Sequence, residues 1–336
     1  MKKLFLFPAA ALLLMLSGNF TPLRACDFCG AFMGVTPFDN QSSIGFSHRY
    51  RVFNGYPSMD QTSSLFPSGA YRVSPAYSAL HGMEHDSAHQ MLHSDFESYK
   101  IYEMKGRWFI HPRVELNFIL PFIANRSKNG DESMRVSGLG DMTFFAGWHV
   151  LERLEGHVVR TRLIVGAGVK VPTGKCDRTM DDGDRINLMM QPGTGSTDGF
   201  AYATYTAAAG KLRWGITSLA KLNGTNKYDE QVAASTVNNA FVSLQYETCG
   251  WMFLPQAQVY QEYTKGIYNG AGLVEGTGMN MVLAGPGVEI YRNRLGCSLG
   301  AQFPVWQKTD EMNMKSAGRL IIGVSYSFNQ QKYLLN

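Results

Sequence analysis

The segment RLIIGVSYSF, residues 319–328, has two chemically different faces when it is read as an extended strand. Successive side chains alternate between the two faces of a strand. One face is apolar and aromatic and consists of Leu320, Ile322, Val324, Tyr326 and Phe328. The other face carries Arg319, Gly323, Ser325 and Ser327, with Ile321 as its one apolar side chain. In a membrane barrel, a strand of this kind turns its apolar face to lipid and its polar face to a lumen.

Segments with a similar alternation recur along the chain, each with roughly the ten residues that a tilted membrane-crossing strand needs. In one of them Leu163, Val165 and Val169 alternate with Arg162 and Lys170. We expect about twelve such strands. They are expected at residues 42–53, 99–108, 113–122, 138–150, 158–171, 200–208, 211–222, 237–247, 251–262, 278–290, 295–305 and 319–328.

The connections between these strands are long and short in turn, beginning with a long one. Outer-membrane barrels have short turns on the periplasmic side and long loops outside, and an even strand number returns both chain ends to one side. The loops of a soluble two-sheet sandwich would have no reason to alternate in length, and a propeller would show a repeat of blade length. The sequence therefore predicts an all-β fold, a transmembrane antiparallel up-and-down β-barrel.

The composition agrees with this fold class. Only 17% of the residues are charged, whereas 12% are aromatic and 35 are glycine, which suits short twisted strands with rings at the membrane interfaces. The mean hydropathy is slightly negative, as expected for strands with one apolar and one polar face and not for a bundle of membrane helices. The net charge of +4 gives no reason to expect a nucleic-acid partner.

The N-terminus has the pattern of a secretion signal peptide over residues 1–25, with Lys2 and Lys3 before an apolar run. The run is too short to stay in a membrane as a spanning helix. Cleavage before Cys26 is expected, although residues 23–26 also loosely imitate a lipoprotein box. We expect a periplasmic N-terminal segment at 26–41 that is a candidate plug, a barrel at 42–328, and a C-terminal tail at 329–336.

The chain has five cysteines, an odd number, so they cannot all pair within the chain even where export permits disulfides. Cys26 and Cys29 are the only close pair. No histidine follows them as in a haem-attachment site, and two thiolates supply only half of a structural zinc site. A disulfide, a lipid-anchor remnant, and a redox or metal role all stay open for this pair.

A row of histidines lies in the first long loop and contains four of the eight in the chain: His81, His85, His89 and His93. Side chains four residues apart share one face of a helix, so each neighbouring pair could chelate a metal ion. The row drifts by about 40° per step, so two ions, or one ion moving along the row, fit better than four ligands on one ion. Imidazole suits zinc, copper, iron or nickel. The alternative is a solvated or plug helix whose histidines hold no ligand.

Charged side chains in the predicted strands are expected inside the barrel, because each would cost about 2–4 kcal/mol on the lipid face at the midplane. The predicted lumen-lining residues are Arg49, Arg51, Lys105, Arg107, Arg113, Glu115, Asp141, Arg160, Arg162, Lys170, Arg213, Glu247 and Arg319. Such a ladder of mixed charge either braces a narrow barrel or lines an aqueous path. Bracing is the expectation for about twelve strands, because the lumen is small.

Two short motifs are similar to signatures of a known family. GLGD at 138–141 opens one predicted strand, and GAGVKVPTG at 166–174 closes the next. They resemble the GLGD and G-x-G-x-K-x-PTG motifs of outer-membrane barrels grouped under a phenol-degradation meta-pathway. CDFCG at 26–30 resembles the mature N-terminus of the Bacteroidota members, and G-x-x-Y-x-F at 323–328 resembles the closing strand of bacterial outer-membrane proteins. The resemblance implies a transporter-like barrel, distantly similar to channels for hydrophobic compounds.

These features predict a protein of the Gram-negative outer membrane that contacts membrane lipid and passes a small solute, either hydrophobic or metal-associated. The alternative is a surface barrel that transports nothing and anchors adhesive or metal-scavenging loops. We expect no enzyme, because no nucleophile with a plausible base is apparent: His149 and Asp141 share a strand face but are eight residues apart. A periplasmic protein partner stays open.

Overall fold

The computed structural model describes residues 41–54, 96–129, 132–153, 157–180, 183–186, 188–270, 272–274, 277–309 and 316–328, and every regular element there is a β-strand. The strands are β1 (Ser43–Asn54), β2 (Phe96–His111), β3 (Val114–Asn129), β4 (Glu132–Leu139), β5 (Met142–Arg153), β6 (Val159–Val171), β7 (Asp198–Ala209), β8 (Leu212–Leu222), β9 (Glu230–Val232), β10 (Ser235–Leu244), β11 (Tyr246–Thr248), β12 (Trp251–Thr264), β13 (Ile267–Asn269), β14 (Gly272–Leu273), β15 (Met279–Arg292), β16 (Leu295–Thr309) and β17 (Ser316–Ser327). No helix in these residues is long and apolar enough to span a bilayer.

Antiparallel pairing runs from each wall strand to the next and closes where β1 pairs with β17, from Ser43↔Ser327 to Phe53↔Ser316. Two strands of the wall are interrupted: β4 and β5 both pair with β3, and β10 and β11 both pair with β12. When β4 with β5, and β10 with β11, are each counted as one strand, the barrel is closed and has twelve strands, which confirms the predicted fold. Strands β9, β13 and β14 form a small separate sheet within the longer connections.

The two ends of the barrel differ in their connections. One end has two-residue turns, such as Gly210–Lys211 and Cys249–Gly250. Both residues of the second turn have positive φ, +48° for Cys249 and +78° for Gly250, as the twist-matched type I′ hairpin turn requires. The other end has the longer connections and is the external end by the rule for outer-membrane barrels. We call these the turn end and the loop end.

The outward face of the barrel is apolar, as predicted from residues 319–328. Ile322, Val324 and Tyr326 of β17 are exposed, whereas Arg319 and Ser327 are buried inside. Phe46 and Trp108 are among the most exposed large side chains, at 63% and 62%. Exposed aromatic side chains gather near the turn end, which matches the aromatic girdle at a membrane interface: Trp108, Trp148, Tyr246, Trp251 and Tyr326.

The hairpin of β3 and β4 is taller than the sequence pattern predicted. We expected strands to end at residue 122 and to resume at 138, but β3 continues to Asn129 and β4 begins at Glu132. The prediction was wrong because it required apolar outward side chains, and those at 126, 128 and 135 are cationic. Ladder pairing needs only backbone hydrogen bonds, so it continues past the apolar band.

Arginine in place of Ile322 should destabilise the barrel by about 2–4 kcal/mol, because this outward side chain lies midway along β17 in the apolar band. Arginine at Leu212, beside the turn at 210–211, should cost only about 0–1 kcal/mol, since its guanidinium reaches the interface. Unfolding by guanidinium chloride in the presence of lipid vesicles measures both values, with Ile322→Leu as the control. Equal costs at the two positions would contradict this orientation in the bilayer.

Candidate functional site: the barrel interior

Most of the charged residues expected inside the barrel lie on the inward faces of their strands. They are Arg49, Arg51, Lys105, Arg107, Glu115, Arg160, Arg162, Lys170, Arg213 and Arg319, with Asp141 in the short break between β4 and β5. One residue differs from the expectation: Arg113 is exposed in the turn before β3, which begins one residue later. Glu247 on β11 shares the inward face, since it lies opposite the buried Met252 and accepts a hydrogen bond from the Gln245 side chain, and it is exposed at the turn end.

Asp141, the last residue of the GLGD motif, holds the long connection that follows β6. Its Oδ1 accepts a hydrogen bond from the Gly174 backbone N–H at 3.0 Å, and its Oδ2 accepts one from the Thr194 N–H at 2.9 Å. The Thr194 hydroxyl also donates to Oδ2 at 2.9 Å. The carboxylate therefore joins the two ends of the connection at residues 172–197, which we call the inward loop.

A series of alternating charges extends from Asp141 along the inner face of the barrel wall to β8. The Lys170 Nζ lies 2.6 Å from Asp141 and 3.0 Å from Asp198, and the Lys221 Nζ lies 2.8 Å from Asp198. Asp198 is almost fully buried, and its other oxygen accepts from the Ser196 hydroxyl at 2.8 Å. Each of these two carboxylates has an ammonium group beside it. This pairing offsets the cost that a single buried charge would have.

The motif glycine Gly174 and its neighbour in space, Gly193, allow the backbone to approach this closely. A Cβ added to Gly193 would lie 2.6 Å from Asp141 Oδ1 and 2.6 Å from the Gly174 carbonyl. Thr173 of the PTG motif accepts a hydrogen bond from the Met142 N–H at 2.9 Å and donates one to the Gly140 carbonyl at 2.9 Å. The GLGD and PTG motifs therefore serve one structural purpose, which is to fasten the inward loop to the wall.

The inward loop packs against inward faces at the loop end. Ile186 and Met190 form a buried cluster with Val136 of β4. The Asn125 side chain of β3 donates to the Met190 carbonyl at 3.1 Å. Asn125 and Val136 are cross-strand partners on the lumen side, so the loop occupies part of the external mouth. These contacts could not be predicted from the sequence, because residues 172–197 have no period of two or 3.6.

Two further connections join the inward loop and form a cap with it. Arg185 makes an ion pair with Glu230, and its guanidinium carbon lies 3.9 Å from the ring centre of Tyr228. The Asn226 side chain donates to the Thr194 carbonyl at 3.0 Å. Strand β9 pairs with β13, which connects residues 223–234 to 265–278. The three connections thus cover one side of the mouth as a unit.

One ion pair spans the bore. The Arg51 Nη2 of β1 lies 3.1 Å from the Glu262 Oε2 of β12, and three wall strands separate β1 from β12 around the barrel. The Tyr260 hydroxyl donates to Glu262 at 3.0 Å, and the Arg319 guanidinium carbon lies 4.4 Å from the Tyr260 ring centre. These contacts form a transverse bridge between β1 and β12 inside the barrel.

Other charges pair along the wall between neighbouring strands. Glu115 lies 3.5 Å from Arg107 and 3.3 Å from the Nε2 of His149, which is completely buried. Glu152 continues this series to Arg162 at 2.9 Å. Arg49 likewise pairs with Glu103 on the next strand. These contacts brace the wall without crossing the lumen.

Apolar side chains also face the interior. Phe145, Ile164 and Tyr202 form a buried cluster on β5, β6 and β7. The cluster begins two residue pairs toward the turn end from the Lys170–Asp198 pair, because Phe145 lies opposite Gly168. The partly buried residues that pack against it are Ile119, Phe200 and Leu219. A second interior cluster, on β12 and β15, contains Tyr260, Met279, Met281 and Leu283.

The predicted metal-binding residues are not among those that the structure describes. His81, His85, His89 and His93, together with Cys26 and Cys29, lie outside the described residues. Within the described part of the chain, no group of three or more His, Cys, Asp or Glu side chains could hold a metal ion. Of the remaining cysteines, Cys176 is buried, Cys249 and Cys297 are exposed, and all three have free thiols.

Solved structures similar to this one are outer-membrane barrels. An outer membrane channel from Pseudomonas putida F1 is 14% identical with a TM-score of 0.61, and the match covers 88% of this chain and 100% of that one. The beta domain of the Bordetella autotransporter Brka is 10% identical, with a TM-score of 0.44 and coverage of 86% and 100%. A FadL homologue from Pseudomonas aeruginosa is 8% identical, with a TM-score of 0.34 and coverage of 87% and 91%.

This chain is an outer-membrane β-barrel. The predicted Gram-negative outer-membrane location is confirmed, and so is the resemblance to outer-membrane barrels in its broad sense. No family model and no curated protein matches the sequence. The assignment to Bacteroidota and to a phenol-degradation group stays a prediction.

Replacing Asp141 by alanine should release the inward loop, because Lys170 would lose one of its two buried carboxylate partners and two backbone N–H groups would lose their acceptor. Removing one partner of a buried pair costs about 3–5 kcal/mol. Hydrogen exchange at the Gly174 and Thr194 amides measures the effect, with faster exchange expected. Lys227→Gln, which removes an exposed pair with Asp177 at 3.5 Å and a cation–π contact with the Tyr228 ring but leaves Asp141 and Lys170 intact, should leave exchange at both amides unchanged. Unchanged hydrogen exchange at these two amides in the Asp141 variant would contradict this role of the Asp141 carboxylate.

Proposed function

We propose that this outer-membrane barrel is a channel for a small, largely apolar solute. The proposal is carried by the interior cluster of Phe145, Ile164 and Tyr202 beside the Lys170–Asp198 charge chain. Small-molecule sites are typically lined by apolar and aromatic side chains with a few fixed polar groups that orient the ligand. The similar Pseudomonas putida protein is described as an outer membrane channel, which favours the same class.

The constrictions fit a narrow selective path better than a wide water-filled pore. The inward loop narrows the mouth, and the Arg51–Glu262 pair joins two strands inside the barrel that are not neighbours in the wall. The lumen of a barrel of about twelve strands is narrow, so each of these elements limits the size of a solute that can pass. The N-terminal segment 26–41, of which residues 26–40 lie outside the described part of the chain, is a further candidate plug.

The competing function is a barrel that transports nothing and anchors its external loops. The same transverse bridge favours this reading, because an anchor benefits from a braced and filled interior. The two functions differ in one measurable property, which is passage through the bore.

Planar-bilayer conductance tests the channel directly. The wild-type barrel should give discrete current steps, and the double variant Arg51→Gln/Glu262→Gln should give larger ones, by about twofold, because a bridge across the lumen is removed without leaving a lone charge. Arg49→Gln/Glu103→Gln removes an ion pair that runs along the wall and is the matched control, with steps close to wild type. Absence of steps from all three proteins would refute the channel and favour the anchor.

We propose a second function for the first external loop, which is capture of a transition-metal ion by His81, His85, His89 and His93. The four-residue spacing supports it, because i and i+4 imidazoles on a helix are a common metal-binding pair. The ion could be zinc, copper, iron or nickel. The solute of the channel would then be metal-associated, as an alternative to an apolar compound.

Isothermal titration of the purified barrel with zinc and with copper tests the metal site. Wild-type protein should bind at least one equivalent, and the variant with all four histidines changed to alanine should show at least a tenfold weaker affinity. A variant with His48 and His111 changed to alanine alters histidines outside the row and should bind as wild type does. Equal binding by the wild-type and fourfold-alanine proteins would remove the proposal.

A further inference from the structure

Four cations lie together on the outward face of the barrel at its loop end. They are Lys100 of β2, Arg126 and Lys128 of β3, and Arg135 of β4. We call them the basic patch. Their positions share the parity of the exposed apolar side chains Tyr102, Phe122 and Leu139 on the same strands. The basic patch therefore faces the membrane side and not the lumen.

The arrangement of the basic patch is unfavourable for the chain alone. Arg126 and Arg135 are direct cross-strand partners, and like charges opposite each other on one face destabilise a sheet. The outward positions described around them on β1 to β4 hold no acidic side chain. Among the described residues, none of the four cations makes an ion pair, and the Arg126 Nε is buried without a hydrogen-bond partner.

Aromatic rings direct two of these side chains. The Arg126 guanidinium carbon lies 5.4 Å from the ring centre of Phe96, and the Lys100 Nζ lies 5.6 Å from that of Tyr50. Long basic side chains at a membrane boundary extend their stems along apolar surface and keep their charges at headgroup level. The rings therefore hold two of the positive charges next to the wall at that level.

The height of the basic patch matches a membrane interface. On β3 the outward positions from Val114 to Ala124 carry no charge, and Arg126 is the next one. Ten residues at about 3.3 Å each, tilted by about 40°, rise about 25 Å, which is the height of the apolar band of such barrels. Arg126 thus lies just beyond the hydrocarbon, at the external leaflet.

We propose that the basic patch binds the phosphorylated glycolipid of the outer leaflet, lipopolysaccharide, through the phosphates of its lipid A. Clustered Lys and Arg side chains beside a membrane recognise anionic lipid headgroups. Arg matches phosphate oxygens with two parallel hydrogen bonds, so Arg126 and Arg135 are the principal ligands, and Lys100 and Lys128 add positive charge. The acyl chains would lie on the outward surface of Phe122 and Leu139.

The patch is confined to one side of the barrel. At the loop end of β10, β12 and β15, the described outward side chains are neutral and include Asn238, Gln261 and Asn280. Lys308 of β16 is an outward cation at the same end without a cationic cross-strand partner, since it lies opposite Asn280. Lys308 supplies a matched control for the general effect of one interfacial cation.

The test compares lipid retention by the full barrel and its variants. Each protein is extracted from the outer membrane in mild detergent, and the lipid A that remains bound is quantified by mass spectrometry. Arg126→Gln/Arg135→Gln should retain about tenfold less lipid A than wild type. Lys308→Gln should retain the wild-type amount, and Arg126→Lys/Arg135→Lys, which keeps both charges, should retain most of it. Heat-modifiable electrophoretic migration verifies that each barrel is folded.

A second arm identifies the ligand group. Delipidated barrel is titrated with bisphosphorylated lipid A, with dephosphorylated lipid A and with inorganic phosphate. Preference for the bisphosphorylated lipid, lost in Arg126→Gln/Arg135→Gln, supports the proposal. Equal binding of the two lipids, or a response to inorganic phosphate that equals that to lipid A, would overturn it. Retention of the wild-type amount of lipid A by Arg126→Gln/Arg135→Gln would also overturn it. That result is expected if an acidic segment of this chain, and not lipid A, covers the basic patch.

Discussion

The pairing of β1 with β17 is the constraint on which the rest of the barrel depends. Eleven residue pairs, from Ser43↔Ser327 to Phe53↔Ser316, join the first wall strand to the last. Without them both strands would present unpaired N–H and C=O groups to hydrocarbon, at several kcal/mol for each group. Once the ladder is closed, each wall residue has only two directions, toward lipid or toward the lumen. The alternation of residues 319–328 is the chemical consequence of this choice.

Closure also determines how charges behave inside. A lumen of about twelve strands is narrow and poorly solvated, so a cation that faces inward needs a nearby anion. Most pairs satisfy this along the wall, as Arg107 and Glu115 do on neighbouring strands. Arg51 and Glu262 satisfy it across the bore instead. Bracing and constriction are therefore two results of one requirement, and the position of the partner decides between them.

Prediction from sequence succeeded where the membrane imposes a period and failed where it does not. The two faces of β17 and β6 follow directly from alternation, since both strands cross hydrocarbon. The upper part of the β3–β4 hairpin was missed, because its outward residues meet headgroups and water and need not be apolar. The small sheet of β9, β13 and β14 was missed too, because such short strands are too brief to show a period.

The candidate site was harder to predict than the fold, for a related reason. Asp141 could be assigned to the interior from the energetic cost of a charge facing lipid. Its contacts with Gly174 and Thr194 depend instead on how the two ends of the inward loop come together. The spacing of residues along the chain does not predict these contacts. The GLGD and PTG motifs indicated a specific local structure there. They did not indicate that the Asp141 carboxylate joins the two ends of the inward loop.

Charges on the two sides of the wall differ in a way that separates structural from binding roles. The inward cations Lys170, Lys221 and Arg162 have carboxylates within 3.0 Å, so the chain itself compensates them. The outward cations Arg126 and Arg135 face each other without an acidic neighbour among the described residues. A charge that its own fold neutralises contributes to stability, whereas clustered charges that the fold leaves uncompensated are favoured only when something else supplies the opposite sign. For an outward face at headgroup level, that source is the membrane.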